Sequence, residues 1–452
     1  MAASAKRHSR TVFTNGVFDL FHDGHSNLLR RAKAEGDYLL VGVASDESCA
    51  KSKRRPLHPW HVRARRVGEV PFVDEVIKTP WSADLTRDFY DHHEITVQVQ
   101  GDRESSFPIA EELGILKIVG RTPGISTTKL INILESIDHE ILEGGHLNDV
   151  RRVYADDAYY VLKYGNRNVA RKFPVSLPDT RTSDEYAVIT AFRQRISAPY
   201  FIVKPVTLVE AKKTAVFESA PLEAETLFER LMKAAPHEAL LVRIIRDLAL
   251  MHNATLDDDE LRTRFSCNPG FHQIKIGLQC INATTNSLWL PYIQNFIASS
   301  LKIKRVLLHG DFAPKNILVW DDGYLFIDFE ESGYGDPALD LGYFLAHLYI
   351  HKILHHASGW NGIIEKLFTV YMTASKASAP ELVERVNKYV GIFLVSRLDS
   401  SAPANYIPPE YRDPIRSVAQ SLILTDHMIL LPHVQGAGPI SVARNSSYFG
   451  CS

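Results

Sequence analysis

The most restrictive feature of this chain is a pair of turn motifs, GVFDLFHDGH at 16–25 and HGDFAPKN at 309–316, separated by more than half of its 452 residues. The two motifs read as phosphate-handling sites of different kinds, and a chain of this length is expected to form two or three domains. Apolar residues at 45% and charged residues at 23% suit a soluble globular protein. A net charge of −2 excludes a general attraction to nucleic acid or anionic membranes. Cys49, Cys267, Cys280 and Cys451 show no CxxC spacing, which reads as reduced thiols in a cytoplasmic protein. No apolar run approaches the ~20 residues of a membrane span. The opening MAASAKRHSR is basic without an apolar core, so residues 1–10 read as a disordered tail rather than a secretory signal.

Residues 11–137 alternate strand and helix signals. TVFTNGVF enters a turn, HSNLLRRAKAEG is an amphipathic helix, and DYLLVGVAS is an apolar strand of the kind buried on both faces. DEVIKT, TVQVQG and LKIVGR are further strands, and TTKLINILESI closes the series as a helix. This alternation predicts an α/β, Rossmann-like domain with a parallel sheet. From 138 to 452 the pattern changes. HEILEGGHLNDVRRVYADDAYYVLKYG predicts short antiparallel strands around a Gly-Gly turn, and helices dominate after residue 222. Strands followed by helices predict a two-lobed α+β domain, with a junction short enough that the two domains touch.

In the first motif, His22 and His25 stand three residues apart where a strand hands over to a helix. A helix N-terminus offers free N–H groups and the positive end of the dipole. Two imidazoles there can donate to phosphate oxygens and stabilise charge building on phosphorus. Gly16 lets backbone approach a phosphate. RTPGISTT, residues 121–128, places Arg121, Ser126, Thr127 and Thr128 at another helix start, where the hydroxyls either cap the helix or bind phosphate. Lys51, Lys53, Arg54 and Arg55 form a basic loop, and Arg63 follows on a helix.

These stretches, with FVDEVI, resemble the cytidylyltransferase family of the HxGH nucleotidyltransferases, which includes glycerol-3-phosphate, ethanolamine-phosphate and choline-phosphate cytidylyltransferases. The resemblance implies that His22 and His25 contact the phosphates of CTP. It implies that Thr14, Gly16 and Phe18 line the nucleotide site and that Lys51 or Lys53, with Arg63, neutralises phosphates. Arg121 and Ser126 to Thr128 would bind the triphosphate, with Mg²⁺ screening its charge. The sequence departs from the family at HVR, at RTPG and at QGDR, where Asp102 remains from a pair of acidic residues and Arg103 follows.

In the second motif, Asp311 is placed to meet an attacking hydroxyl, while Asn316 and Asp328 in IDFE are placed as metal ligands for ATP. The motif resembles the aminoglycoside phosphotransferase and choline kinase superfamily, relatives of protein kinases. That resemblance implies a phosphate-covering hairpin at GGHLNDVRRVY, Lys163 on the ATP phosphates and Glu185 as its ion-pair partner. Asp336 and Asp340 are expected to brace the catalytic loop. Tyr343, Trp360, Tyr389 and Tyr406 are expected in the core, an amine-binding cage being the alternative.

Together the two halves predict an enzyme that phosphorylates a small alcohol with ATP and couples the product to CMP from CTP. The acceptor stays open among glycerol, ethanolamine, choline and other polyols. Rival readings are an ATP-using nucleotidyltransferase with an unrelated kinase half, and a nucleotide-binding regulator without turnover. Small-molecule substrates, no nucleic acid, no membrane span and a homodimer complete the expectations.

Overall fold

The structure, a computed structural model, describes residues 9–52, 55–101, 107–136, 139–142, 148–155, 157–165, 180–233, 235–282, 289–321, 323–355, 360, 362–399, 404 and 406–424. The Gly-Gly turn, Lys53, Arg54, Asp102, Arg103 and most of the N-terminal tail lie outside them. The chain divides into two compact units, Met1–Val169 with Lys204–Ser219, and Ala170–Val203 with Ala220–Ser452.

The first unit begins with β1 (Thr11–Gly16), α1 (Asp23–Lys33), β2 (Tyr38–Ala44), α2 (Asp46–Ser52), α3 (Trp60–Gly68) and β3 (Glu75–Thr79). It continues with α4 (Arg87–His92), β4 (Ile95–Gly101), α5 (Pro108–Glu112), β5 (Leu116–Val119) and α6 (Thr127–Glu135). The strands form a parallel sheet in the order β3-β2-β1-β4-β5. β2 is buried along almost its whole length because both sheet faces are covered. One core joins Val12, Val41 and Val99 to Leu29 of α1 and Val67 of α3. A second joins Phe13 and Leu40 to Tyr90 and Phe107. The strand order reverses direction at β1, since β2 extends the sheet to one side and β4 to the other. Ligands in such sheets bind beyond the carboxyl ends of the strands at that point.

The same unit holds a second, antiparallel sheet of β6 (His139–Ile141), β7 (Asn148–Ala155), β8 (Ala158–Gly165), β9 (Pro205–Val209) and β10 (Thr214–Glu218). Its order is β6-β7-β8-β10-β9. The two sheets share a core: Leu20, Leu130 and Ile133 pack with Val153, Leu162, Val209 and Val216. Glu210, between β9 and β10, accepts from Arg65 (2.7 Å) and Arg66 (2.6 Å) of α3, and its N–H donates to His58 Nε2 (3.2 Å).

The second unit contains α7 (Arg181–Arg195), α8 (Leu227–Lys233), α9 (Glu238–Ala254), α10 (Asp259–Phe265), a π-wound helix Gly270–Ile281, and α11 (Leu290–Ser300). After them come α12 (Ala338–His355), α13 (Ile363–Ala374), α14 (Pro380–Asp399) and α15 (Pro409–Leu424). Short strands β11 (Glu225–Thr226), β13 (Ile317–Val319) and β14 (Tyr324–Phe326) form one sheet. β12 (Val306–Leu307) and β15 (Tyr334–Gly335) pair in another. α12 is apolar on nearly all sides and buried from Ala338 through His351, as a central helix must be. Among the described residues no helix is long and apolar enough to cross a membrane.

Candidate functional sites

In the first unit, the carboxyl ends of β1 and β4 open on a cavity of about 370 Å³, lined by Gly16, Phe18, His22, His25, Gln100 and Arg121 among others. Helix α1 starts beside it: His22 is the N-cap, and its Nδ1 accepts from Gly24 N–H at 3.0 Å. With Nδ1 accepting, a neutral His22 carries its proton on Nε2, as a donor. The His22 and His25 rings stack with centroids 3.9 Å apart. Burial, reinforced by Arg121, pulls the His22 pKa down to about 4. Burial and then His22 hold His25 well below the ordinary imidazole value. Both rings are therefore neutral near pH 7. His25 Nδ1 is buried without a hydrogen-bond partner among the described residues.

Helix α6 brings a second N-terminus to the same cavity. Ser126 caps it by accepting from Lys129 N–H at 3.1 Å, and Thr127 donates to the Asp19 carbonyl at 3.3 Å. Ser126, Thr127 and Thr128 all line the cavity. Two helix starts and Arg121 thus surround one space, an arrangement suited to a polyanion.

Three of the expected residues stand away from the cavity lining. Arg63 does not face the cavity: its guanidinium is buried and bonded to the carbonyls of His58 (3.0 Å), Val17 and Ala44 (2.7 Å) and to Asp46 (2.6 Å). Since Val17 and Ala44 are themselves wall residues, Arg63 supports the wall from behind. Thr14 is wholly buried, and the wall is formed instead by Asn15 and Gly16. Lys51 is exposed on α2 and is not part of the lining. Sequence reasoning missed Asp19, whose carboxylate accepts from Leu57 N–H (2.9 Å) and His58 N–H (3.0 Å) and so pins the loop before α3 against the β1–α1 turn.

The second unit gathers the other motif. Asp311 is buried, and Asn316 Nδ2 donates to its Oδ2 at 2.7 Å and to its carbonyl at 2.8 Å. Asp340 accepts from His309 N–H (2.7 Å) and Gly310 N–H (3.0 Å), so it braces this loop from below. Gly310 has φ +85°, and a Cβ there would collide with the Glu331 carbonyl. Asp336 instead accepts from Ser300 (3.0 Å) and Arg385 (2.7 Å). The β13–β14 hairpin carries the chain back, with Ile327 N–H donating to Asn316 O at 3.0 Å. Asp328 follows with φ 68°, a left-handed conformation that aspartate tolerates better than most residues. Glu185 of α7 accepts from Phe329 N–H at 3.1 Å, next to Asp328. Lys163 lies nearly buried on β8 of the first unit.

No sequence motif pointed to Lys275. It is fully buried on the π-wound helix and bonds Asp311 Oδ1 at 2.7 Å, Gln279 Oε1 at 2.7 Å and Glu331 Oε2 at 3.1 Å. Its ammonium sits 3.8 Å from the Tyr343 ring centroid. Lys315 pairs with the other Asp311 oxygen at 2.9 Å. Burial works to raise the Asp311 pKa, but Lys275 and Lys315 outweigh it and hold the carboxylate well below its usual range. Burial pushes Glu331 up to about 7, against the pull of Lys275. Tyr343, Trp360 and Tyr389 are core residues, whereas Tyr406 is part-buried.

Comparison with known proteins matches two successive stretches of the chain to two different families. Residues 13–133 match the cytidylyltransferase-like family model, and residues 140–354 match that of the phosphotransferase enzyme family. The glycerol-3-phosphate cytidylyltransferase of Bacillus subtilis is 38% identical over 122 residues, which is 27% of this chain and 94% of that protein. The ethanolamine-phosphate cytidylyltransferase of Arabidopsis thaliana is 38% identical over 138 residues, 28% of this chain and only 32% of that protein. This chain therefore spans about a third of the length of its ethanolamine-phosphate relatives. The solved choline kinase LicA from Streptococcus pneumoniae is 15% identical with a TM-score of 0.40, covering 66% of this chain and 96% of that one. A likeness that loose decides nothing about substrate. The chain belongs to the cytidylyltransferase-like family through residues 13–133, and carries a phosphotransferase-family segment fused behind it.

Proposed function

We propose that the chain phosphorylates a small alcohol with ATP in its phosphotransferase segment and joins that phosphate to CMP from CTP in its nucleotidyltransferase segment, releasing pyrophosphate. The observation that carries the reading is the neutral, stacked His22–His25 pair set between two helix N-termini around one cavity.

In the nucleotidyl step, an oxygen of the phospho-alcohol attacks the α-phosphorus of CTP. A new P–O bond forms, the bond to the bridging β-phosphate oxygen breaks, and pyrophosphate leaves with that electron pair. The attacking phosphate is already anionic near neutrality, with a second pKa of about 6, so the step requires no general base. His22 donates through Nε2–H toward charge developing on phosphate, His25 adds a second imidazole, and Arg121 and the N-termini of α1 and α6 stabilise the leaving group.

In the kinase step, Asp311 orients the acceptor hydroxyl. Its depressed pKa makes it a weak base, which fits a loose transition state in which the proton leaves late. Asn316 spends its amide N–H on Asp311, which leaves its oxygen as a hard donor; with the Asp328 carboxylate it suits Mg²⁺. The described residues contain no cluster of three or more His, Cys, Asp or Glu able to hold a metal alone. ATP oxygens would complete the shell, and the bound ion would spread the charge of the transferring phosphoryl group.

The test is product analysis of the purified protein with ATP, CTP and small alcohols. Formation of a CDP-alcohol and pyrophosphate supports the reading. Pyrophosphate released from ATP but not CTP favours the rival adenylyl reading, and no turnover of either nucleotide leaves the regulatory one.

A further inference from the structure

Two buried carboxylates and an aromatic face converge on one ammonium in this protein, and that ammonium belongs to the protein itself. Lys275 Nζ lies 2.7 Å from Asp311, 3.1 Å from Glu331 and 3.8 Å from the Tyr343 ring centroid, with Phe393 at 5.7 Å. Such a box of acid and aromatic faces is what a small alkylammonium ligand would seek. Here it is filled from within, directly against the carboxylate that orients the acceptor.

The surrounding groups point to a different guest. The His347 ring packs against Tyr343 with centroids 4.9 Å apart, and Arg397 donates to the Tyr343 hydroxyl. Both nitrogens of His347, both nitrogens of His351 and the Tyr406 hydroxyl are buried without hydrogen-bond partners among the described residues. Phe228 joins the last two, with ring centroids 5.3 Å from His351 and 5.0 Å from Tyr406. Burial lowers the pKa of both histidines, so each offers one donor and one acceptor rather than a charge. Buried polar atoms without partners are rare in folded proteins and call for a complement. Several neutral donor–acceptor groups side by side match vicinal hydroxyls. A cationic guest would meet Lys275, Lys315 and Arg397 instead.

We infer that Lys275 is a specificity-determining residue of the phosphotransferase segment: by occupying the cation seat beside Asp311 it excludes ammonium alcohols and commits the acceptor site to a neutral polyol. This inference rests on the kinase reading above and gives its substrate class.

The experiment is calorimetric titration of the full-length protein, with Mg²⁺ and a non-hydrolysable ATP analogue, by choline and by three- to five-carbon polyols. The wild type is expected to bind at least one polyol tenfold or more tighter than choline. Lys275→Met is expected to narrow or invert that ratio by at least tenfold, whereas Lys275→Arg, which keeps the charge, preserves it. Choline binding to the wild type as tightly as any polyol overturns the inference, as does wild type that binds neither, or a folded Lys275→Met with an unchanged ratio. If Lys275→Met does not fold, the wild-type ratio and Lys275→Arg still decide. ATP turnover measured separately with the same alcohols tests the kinase reading, because its failure leaves the binding ratio intact.

Discussion

His22 and His25 are neutral because the protein buries them, so a bound triphosphate must change their proton affinity. Anionic oxygens beside a neutral imidazole raise its pKa. CTP binding is therefore expected to take up protons and to strengthen as pH falls from 8 toward 6, read as a buffer-dependent heat in calorimetry. The free protein should respond in the opposite sense. A folded pKa of about 4 against 6.5 unfolded means that the contribution of His22 to stability is present above pH 6.5 and lost as pH falls toward 4. His22→Asn puts a side-chain oxygen in place of Nδ1 as the N-cap acceptor while removing the titration, so its unfolding midpoint should fall less steeply over that window. For catalysis, His25→Ala should lower pyrophosphate release from CTP by about 10²- to 10³-fold and leave ATP consumption intact. Asp311→Ala should do the reverse, and added phospho-alcohol should bypass it. These residues were legible in the sequence because each motif is local: a strand end and a helix start fix His22 and His25 within three positions. Arg63 was not, since a sequence names a charge without saying which way it faces. Lys275 was also hidden, because its partners Asp311 and Glu331 lie far along the chain and only folding brings them together.

At the scale of elements, the loop between β12 and β13 holds its shape through Asp340 below and Gly310 within. Asp340→Ala would strip acceptors from His309 and Gly310 N–H groups that are buried, costing about 1–3 kcal/mol for each group left unpaired. Gly310→Ala adds strain at φ +85° to a collision with the Glu331 backbone. Both variants should lose phosphotransfer while pyrophosphate release from CTP with added phospho-alcohol continues, a split that a paired activity assay resolves. The strands and helices of the parallel sheet were legible from their alternation, and the HGD loop with its returning hairpin from spacing. The antiparallel strands were legible too, but not their attachment. Nothing in the sequence pairs Val153 or Val216 with Leu130, because the contact spans separate patterns whose apolar residues look alike.

At the scale of the whole molecule, that shared core changes where the protein can be cut. A truncation ending at residue 137 would uncover Leu20, Leu130 and Ile133 and remove Glu210 from Arg65 and Arg66. Apolar surface exposed in this way costs about 25 cal/mol per Å². The fragment should melt below the first transition of the full-length chain or aggregate, as calorimetric scanning would show. The boundary drawn from sequence alone, between residues 137 and 138, therefore falls inside a packed unit.

The two compact units also interleave along the chain, because Lys204–Ser219 belongs with the first while the residues on either side belong with the second. The polypeptide thus crosses from one unit to the other three times. A protease nicking a single crossing would liberate neither piece, and recombination that exchanged one catalytic half would have to carry a hairpin of the other along with it.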